Sequence, residues 1–181
     1  MSNSSNNEAK AFTKECVFLA FLNLLKEKNY EDITLTEIAE KAGVSRNAIY
    51  RNFESKNLIL KNYLNYISLN FINELNKKNI SSYYDYILAV FTHLCSHSKI
   101  AKILVSANLS TLLYESFLLI KGSYKVDDSI KNYYESYRIG SLFFVYVTWL
   151  ETDCKETPEE LTDIMIKIME SKPVLPTNYN Q

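Results

Sequence analysis

The chain has 181 residues, of which 47% are hydrophobic and only three are glycine and three are proline. This length allows a small binding unit plus a larger helical domain, and the scarcity of helix breakers favours an all-α chain. The formal net charge of −1 excludes a generally basic coat that binds nucleic acid without specificity.

The first helix is predicted over about residues 9 to 28, after a polar start at residues 1–8 that we expect to be disordered. Its apolar residues nearly surround it, which is typical of a helix wedged between two packed layers. No apolar run of the chain is long enough to span a bilayer. We therefore expect a cytoplasmic protein without a membrane segment.

A helix-turn-helix is predicted at about residues 34–53. Thr34 can cap its first helix, and Glu37, three residues later, completes a capping box. Gly43 follows the last apolar position of that helix, where a positive φ is often needed. Ser45 then caps the second helix. Two start signals and one stop signal thus fix both helices and the turn between them.

The second helix offers side chains that can read DNA. In a helix-turn-helix this helix lies in the major groove, where Arg can donate two hydrogen bonds to guanine and Asn can pair with adenine. We expect Arg46 and Asn47 to contact bases. Thr34, Tyr50, Asn52 and Lys56 should mainly hold phosphates. The complete predicted DNA-binding set is Thr34, Thr36, Ser45, Arg46, Asn47, Tyr50, Arg51, Asn52 and Lys56. The alternative is a helix pair that is packed for structure alone.

This stretch resembles the TetR/AcrR family of bacterial transcriptional regulators, whose pattern is approximately T-x-x-x-I-A-x-x-A-G-V-S-x-x-x-x-Y-x-x-F-x-x-K-x-x-L. The matching residues are Thr34, Ile38, Ala39, Ala42, Gly43, Val44, Ser45, Tyr50, Phe53 and Lys56, with Leu58 or Ile59 near the end. The chain departs from the family at Asn47, where Gly is usual, and at Asn52, where His is common. The resemblance covers about residues 13–60 and implies a homodimer whose second domain is a helical cage for an effector.

The remaining helices follow from their caps and breaks. A long fourth helix is predicted over about residues 56–77, three shorter ones over 83–119, an eighth from the acidic residues 127 and 128 to about 152, and a ninth from Thr157 to about 171. The predicted fold is therefore all-α with about nine helices. Its predicted parts are a DNA-binding domain at 9–60, an effector and dimerisation domain at 61–172, and a tail at 173–181.

The second domain is rich in aromatic residues and could hold an apolar small molecule. The predicted pocket residues are Tyr63, Ile67, Tyr86, Phe91, Leu104, Phe117, Tyr137 and Phe144. Apolar stripes on packed helices need no ligand, so plain core is the alternative for each of them.

The last two helices carry apolar stripes that could form a dimer interface as a four-helix bundle. The predicted interface residues are Gly140, Phe144, Val147, Leu161, Ile164, Met165 and Ile168. The alternative is that both stripes are buried within one subunit.

A metal site and an enzyme are the competing classes of function. His93 and His97 lie four residues apart on one predicted helix, with Cys95 between them. No HExxH motif or paired cysteines supply further ligands, and no glycine-rich loop could hold a phosphate. Three widely spaced cysteines fit reduced thiols better than a disulfide framework. We expect no metal, no cofactor and no catalytic activity.

The sequence thus predicts a sequence-specific transcriptional regulator. We expect a repressor that leaves a palindromic double-stranded DNA operator when a small apolar effector binds. The alternative is a DNA-binding regulator whose second domain recognises a partner protein. A buried cavity would favour the effector, and an exposed apolar groove would favour the partner protein.

Overall fold

The structure, a computed structural model, describes residues 2–122 and 129–171, with side chains over 12–119 and 130–171. These residues form helices α1 (Ser2–Glu27), α2 (Leu35–Ala42), α3 (Arg46–Asn52), α4 (Lys56–Lys77), α5 (Tyr83–Ser96), α6 (Ser98–Ser106), α7 (Ser110–Gly122), α8 (Ser129–Glu151) and α9 (Pro158–Glu170), with a 3-10 turn at Tyr30–Asp32. The described residues contain no strand, so the predicted all-α fold with nine helices is confirmed. Residues 127 and 128, and the predicted tail at 173–181, lie outside them.

The predicted disorder of residues 1–8 is wrong for the described residues. Helix α1 begins at Ser2 and runs without a break to Glu27. No glycine or proline lies in this stretch, so a polar sequence can continue the helix that the apolar residues start. None of the described helices is both long and apolar enough to cross a bilayer.

The head of the molecule, which we define as residues 12–55, is held by local caps and a small core. Thr34 Oγ1 accepts a hydrogen bond from the Glu37 amide at 3.2 Å, and the Glu37 carboxylate accepts one from the Thr34 amide at 2.9 Å. Gly43 adopts φ +68°. Ser45 Oγ accepts from the Ala48 amide at 3.2 Å. The predicted capping box, turn glycine and second cap are therefore confirmed.

The body, which we define as residues 56–171, consists of α4–α9. Helix α4 packs against α7, α5 against α9, and α7 against α8. Helix α6 reaches α1 of the head, and α4 also packs on α1. The body is therefore joined to the head through two of its helices rather than by a flexible linker.

The predicted dimer stripe on α9 is split between the core and the surface. Leu161 and Met165 are 6% and 4% exposed because α9 packs against α5, so their assignment to a dimer interface is wrong. Ile164 and Ile168, which belong to the same stripe, are 41% and 55% exposed.

The predicted stripe on α8 is only partly covered by the residues that the structure describes. Phe144 is largely exposed, Val147 is half-buried, and nothing lies within 4 Å of a Cβ built on Gly140. An exposed phenylalanine beside an open glycine position leaves room for another helix to approach α8 closely.

Candidate nucleic-acid interface and cavity

Helix α3 presents a continuous polar face to solvent. Ile49 is buried against the head, and this anchor turns Arg46, Asn47, Tyr50 and Arg51 outward. The exposed face is therefore set by one buried residue in the middle of a seven-residue helix. A helix with such donors on its outer side fits the major groove.

Two of these side chains already have contacts with α2. Arg46 Nη2 donates to Glu40 Oε1 at 2.7 Å, with both residues largely exposed. Such a surface ion pair contributes only about 0–1 kcal/mol, so a guanine or a phosphate can replace Glu40. The Tyr50 hydroxyl lies 3.4 Å from Thr36 Oγ1, which holds the tyrosine over the crossing of the two helices.

Asn52 and Arg51 lie at the end of α3. Asn52 Nδ2 donates to the Ala48 carbonyl at 2.7 Å, which leaves the second N–H of its amide for a phosphate. Arg51 is exposed and has no ion pair within the described part of the chain. Asn52 remains a predicted phosphate contact, and Arg51 remains a predicted DNA contact.

Lys56, predicted to hold a phosphate, is instead turned into the protein. Its ammonium donates to the carbonyls of Tyr30, Glu31 and Ile33, and lies 4.2 Å from the centroid of the Tyr30 ring. An ammonium has three donors, and these three carbonyls use all of them. The structure therefore assigns Lys56 to the junction between the 3-10 turn and the start of α4, which corrects the predicted phosphate contact.

Replacing Lys56 by Met should lower the free energy of unfolding by about 1–3 kcal/mol, because three carbonyls lose a charged donor. Urea denaturation would measure this loss, with the exposed Lys14→Met as the matched control. An unchanged free energy of unfolding combined with weaker DNA binding would instead restore the phosphate contact.

A cavity of about 50 Å³ lies in the body among α4, α5, α6, α7 and α8. Ile67 and Phe117, two of the eight predicted pocket residues, line it. Leu64 and Phe71 of α4 and Leu113 of α7 add to its apolar wall.

Three predicted pocket residues are instead packed in contacts within the protein. Phe91 and Leu104 are completely buried in the core. Tyr63 stacks on Phe18 of the head with ring centroids 3.5 Å apart. None of the three lines this cavity, so a pocket role for them stays a prediction.

The three remaining predicted pocket residues lie away from the cavity as well. The Tyr86 hydroxyl accepts a hydrogen bond from buried Arg138, whose guanidinium also lies over the tyrosine ring. Tyr137 and Phe144 point to solvent. These side chains share a helical stripe with core residues, but the stripe does not tell which neighbour each one faces.

The cavity contains a histidine, His93, for which the sequence indicated no ligand-binding role beyond a weak metal-site pattern. His93 lines it and stacks on Phe71 with ring centroids 4.2 Å apart, and the His97 ring lies 4.6 Å away. Burial, with a smaller contribution from His97, lowers the pKa of His93 to about 4. Its imidazole is therefore neutral near pH 7. The described residues include no group of three or more side chains that could hold a metal ion.

The neutral state of His93 predicts a loss of stability in mild acid. Because the pKa of His93 is about 4 in the folded chain and about 6.5 when unfolded, the unfolded state binds more protons between these values. This part of the stability is complete above pH 6.5 and falls as the pH falls towards 4. Urea denaturation at pH 7 and pH 5 should show a decrease about 1 kcal/mol smaller in His93→Phe than in the parent, allowing for partial solvent screening.

Thr92→Ala, an exposed neighbour on the same helix, is the control for this comparison. It should show the pH dependence of the parent chain. Equal pH dependence in all three proteins would show that His93 titrates normally.

Two family models match the chain. Residues 20–62 match the model described as bacterial regulatory proteins, tetR family, and residues 82–171 match a transcriptional regulator C-terminal region. A comparison with curated protein sequences found no match. Together the two models cover most of the head and most of the body, and the first of them covers the whole helix-turn-helix.

Solved structures share the fold. Lin0861 from Listeria innocua is 11% identical with a TM-score of 0.71, over 89% of this chain and 91% of that one. A TetR transcriptional regulator from Streptococcus agalactiae 2603V is 20% identical with a TM-score of 0.63, over 94% and 100%. The fatty acid degradation regulator FadR from Bacillus halodurans is 19% identical with a TM-score of 0.57, over 86% and 92%. The family matches and the shared fold lead to one conclusion: this chain belongs to the TetR family of bacterial transcriptional regulators.

Proposed function

We propose that this chain is a homodimeric repressor that binds a palindromic operator and is released when a small apolar effector enters the body. In this proposal residues 9–60 read the DNA, while residues 61–172 dimerise and hold the effector. The observation that carries the proposal is the outward face of α3, which is anchored by buried Ile49 and capped by Ser45.

DNA recognition falls to the first turn of α3. Arg46 and Asn47 are its first two residues and are both exposed, as base contacts from the start of a recognition helix require. Asn47 stands where the family usually has glycine, so its amide adds a donor and an acceptor at the groove. Residues 34–61 carry five cations and three anions, and two of these cations, Arg46 and Arg51, lie on the exposed face of α3, which favours this surface for DNA.

The open stripe on α8 supports dimerisation. Tyr133, Tyr137, Gly140 and Phe144 recur at spacings of four, three and four, and the three aromatic residues are largely exposed. With the exposed residues of α9, two protomers can pack as a four-helix bundle. Such a dimer would present its two heads to successive faces of the major groove, which are about 34–36 Å apart.

The contacts of α4 and α6 offer a route from the cavity to the DNA. Both helices line the cavity, and both pack on α1, which in turn supports α2. An effector that fits better when α4 and α6 are displaced would shift the separation of the heads. It can act only through this difference in affinity between the two states. A cavity between helices favours a small molecule over a partner protein as the effector.

Replacing Arg46 by Ala should cost about 1–3 kcal/mol of operator affinity and relax the preference at one base pair. A binding-selection experiment with randomised operators would measure both effects. Glu40→Ala is the matched control, because it breaks the same ion pair but keeps the guanidinium. It should retain the operator preference. If Arg46→Ala keeps the preference too, Arg46 does not read a base.

Replacing Ile168 by Asp should produce a folded monomer that no longer binds the palindrome, because an unpaired charge would be buried in the dimer. Sedimentation would give the oligomeric state, and circular dichroism would show that the helices persist. Met165→Asp is the contrast, since Met165 is buried within the protomer and its replacement should unfold the body. An Ile168→Asp dimer with full operator affinity would place the interface elsewhere.

A further inference from the structure

Most polar groups around the cavity are already bonded within the protein. The Ser116 hydroxyl donates to the Leu113 carbonyl at 2.6 Å, and the Tyr146 hydroxyl donates to the Leu94 carbonyl at 3.2 Å. His97 Nδ1 lies 3.0 Å from the His93 carbonyl oxygen. These groups have no need of a ligand.

Two other polar groups of the cavity are not bonded in this way. Ser68 of α4 is only 8% exposed and lines the cavity, as does the ring of His93. Among the residues that the structure describes, neither the Ser68 hydroxyl nor the His93 ring nitrogens has a hydrogen-bond partner. Both groups border the cavity with their hydrogen-bonding capacity unused within the protein, so a molecule in the cavity can bond to them.

The chemistry of that molecule follows from the two groups. A neutral imidazole has one donor and one acceptor nitrogen, and a serine hydroxyl can act as either. One hydroxyl group can satisfy both residues, and one carbonyl oxygen can accept from both. Among the described residues that line the cavity there is no Asp, Glu, Lys or Arg, so a carboxylate or an ammonium would be buried there without an opposite charge.

The size of the cavity limits the rest of the molecule. A water molecule needs roughly 10–15 Å³ by this measure, so a cavity of about 50 Å³ accepts about four water-sized groups. Leu64, Ile67 and Phe117 can surround a short alkyl chain.

We propose that this cavity binds a short-chain, uncharged alcohol or carbonyl compound, whose oxygen is bonded by Ser68 and His93. The inference rests on the proposed function, in which the body holds the effector. Ser68 belongs to α4, which packs on α1 of the head, and His93 belongs to α5. The shared oxygen ties α4 to α5 in the bound state, and this contact gives the ligand a different affinity for the two positions of α4.

The test uses the full chain with n-butanol and 2-butanone as probes, and with butyrate and butylammonium as charged probes of the same length. Nuclear magnetic resonance of the histidine rings would follow binding, which should be weak, on the order of millimolar, for so few atoms. Both uncharged probes should shift the His93 ring signals and saturate. The charged probes should bind at least about tenfold more weakly.

Two variants remove the anchors one at a time. Ser68→Ala and His93→Phe should each weaken n-butanol binding by about three- to tenfold, which is the effect of one lost hydrogen bond. His93→Phe keeps an aromatic ring that can stack on Phe71. Since this variant removes the His93 signals, binding to it would be followed on His97. Thr92→Ala is the control and should bind like the parent chain.

The outcomes separate this inference from the proposed function. Equal binding of butyrate and n-butanol, unchanged binding by both anchor variants, or no binding of either uncharged probe would overturn the inference. Operator affinity, measured with and without n-butanol, tests the induction. If n-butanol binding depends on Ser68 and His93 but does not lower operator affinity, the ligand site is supported and the release mechanism is wrong. If another molecule releases the protein from its operator equally well in the parent chain and in both variants, the release mechanism is supported and the role of Ser68 and His93 is wrong.

Discussion

Burial of α1 against both the head and the body is the constraint on which the rest of this structure depends. Phe21 is completely buried, and Phe18 stacks on Tyr63 of α4. The same helix packs against α2, α4 and α6. Because one apolar helix is shared in this way, neither α2 nor α6 can move far without disturbing the packing of the other. This is the physical basis for expecting an event in the body to reach the DNA-reading helix.

The start of α4 adds a second link of a different kind. Lys56 donates hydrogen bonds to the carbonyls of the turn that follows α1. Ser55 caps α4, because its hydroxyl oxygen accepts a hydrogen bond from the Leu58 amide at 3.3 Å. The head is therefore fastened to α4 by hydrogen bonds as well as by apolar contacts. Helix α4 then carries Ser68 to the cavity three turns later. One rigid helix thus connects the site proposed for the effector with the base of the DNA-binding unit.

Two separate regions of the surface, on α3 and on α8, differ in chemical character. The outer face of α3 is polar and cationic, whereas α8 exposes aromatic side chains around Gly140. A polar face suits a phosphate backbone, and an apolar stripe of this length on an isolated protomer suits another protein surface. The two proposed contacts, with DNA and with a second subunit, therefore do not compete for the same residues.

Local signals in the sequence determined where the helices lie, and only the tertiary structure decided which way their side chains face. The caps at Thr34, Ser45 and Thr157 and the turn at Gly43 could be predicted, because their bonds join residues at most four positions apart. The sequence could not show which residues of the α9 stripe are buried and which are exposed, since Met165 and Ile168 differ only in whether α5 covers them. Most of the cavity lining was missed for the same reason. Ser68 looks like any helical serine until α5 and α7 close around it, and the free ammonium of Lys56 looks available to DNA until three carbonyls of a distant turn meet it.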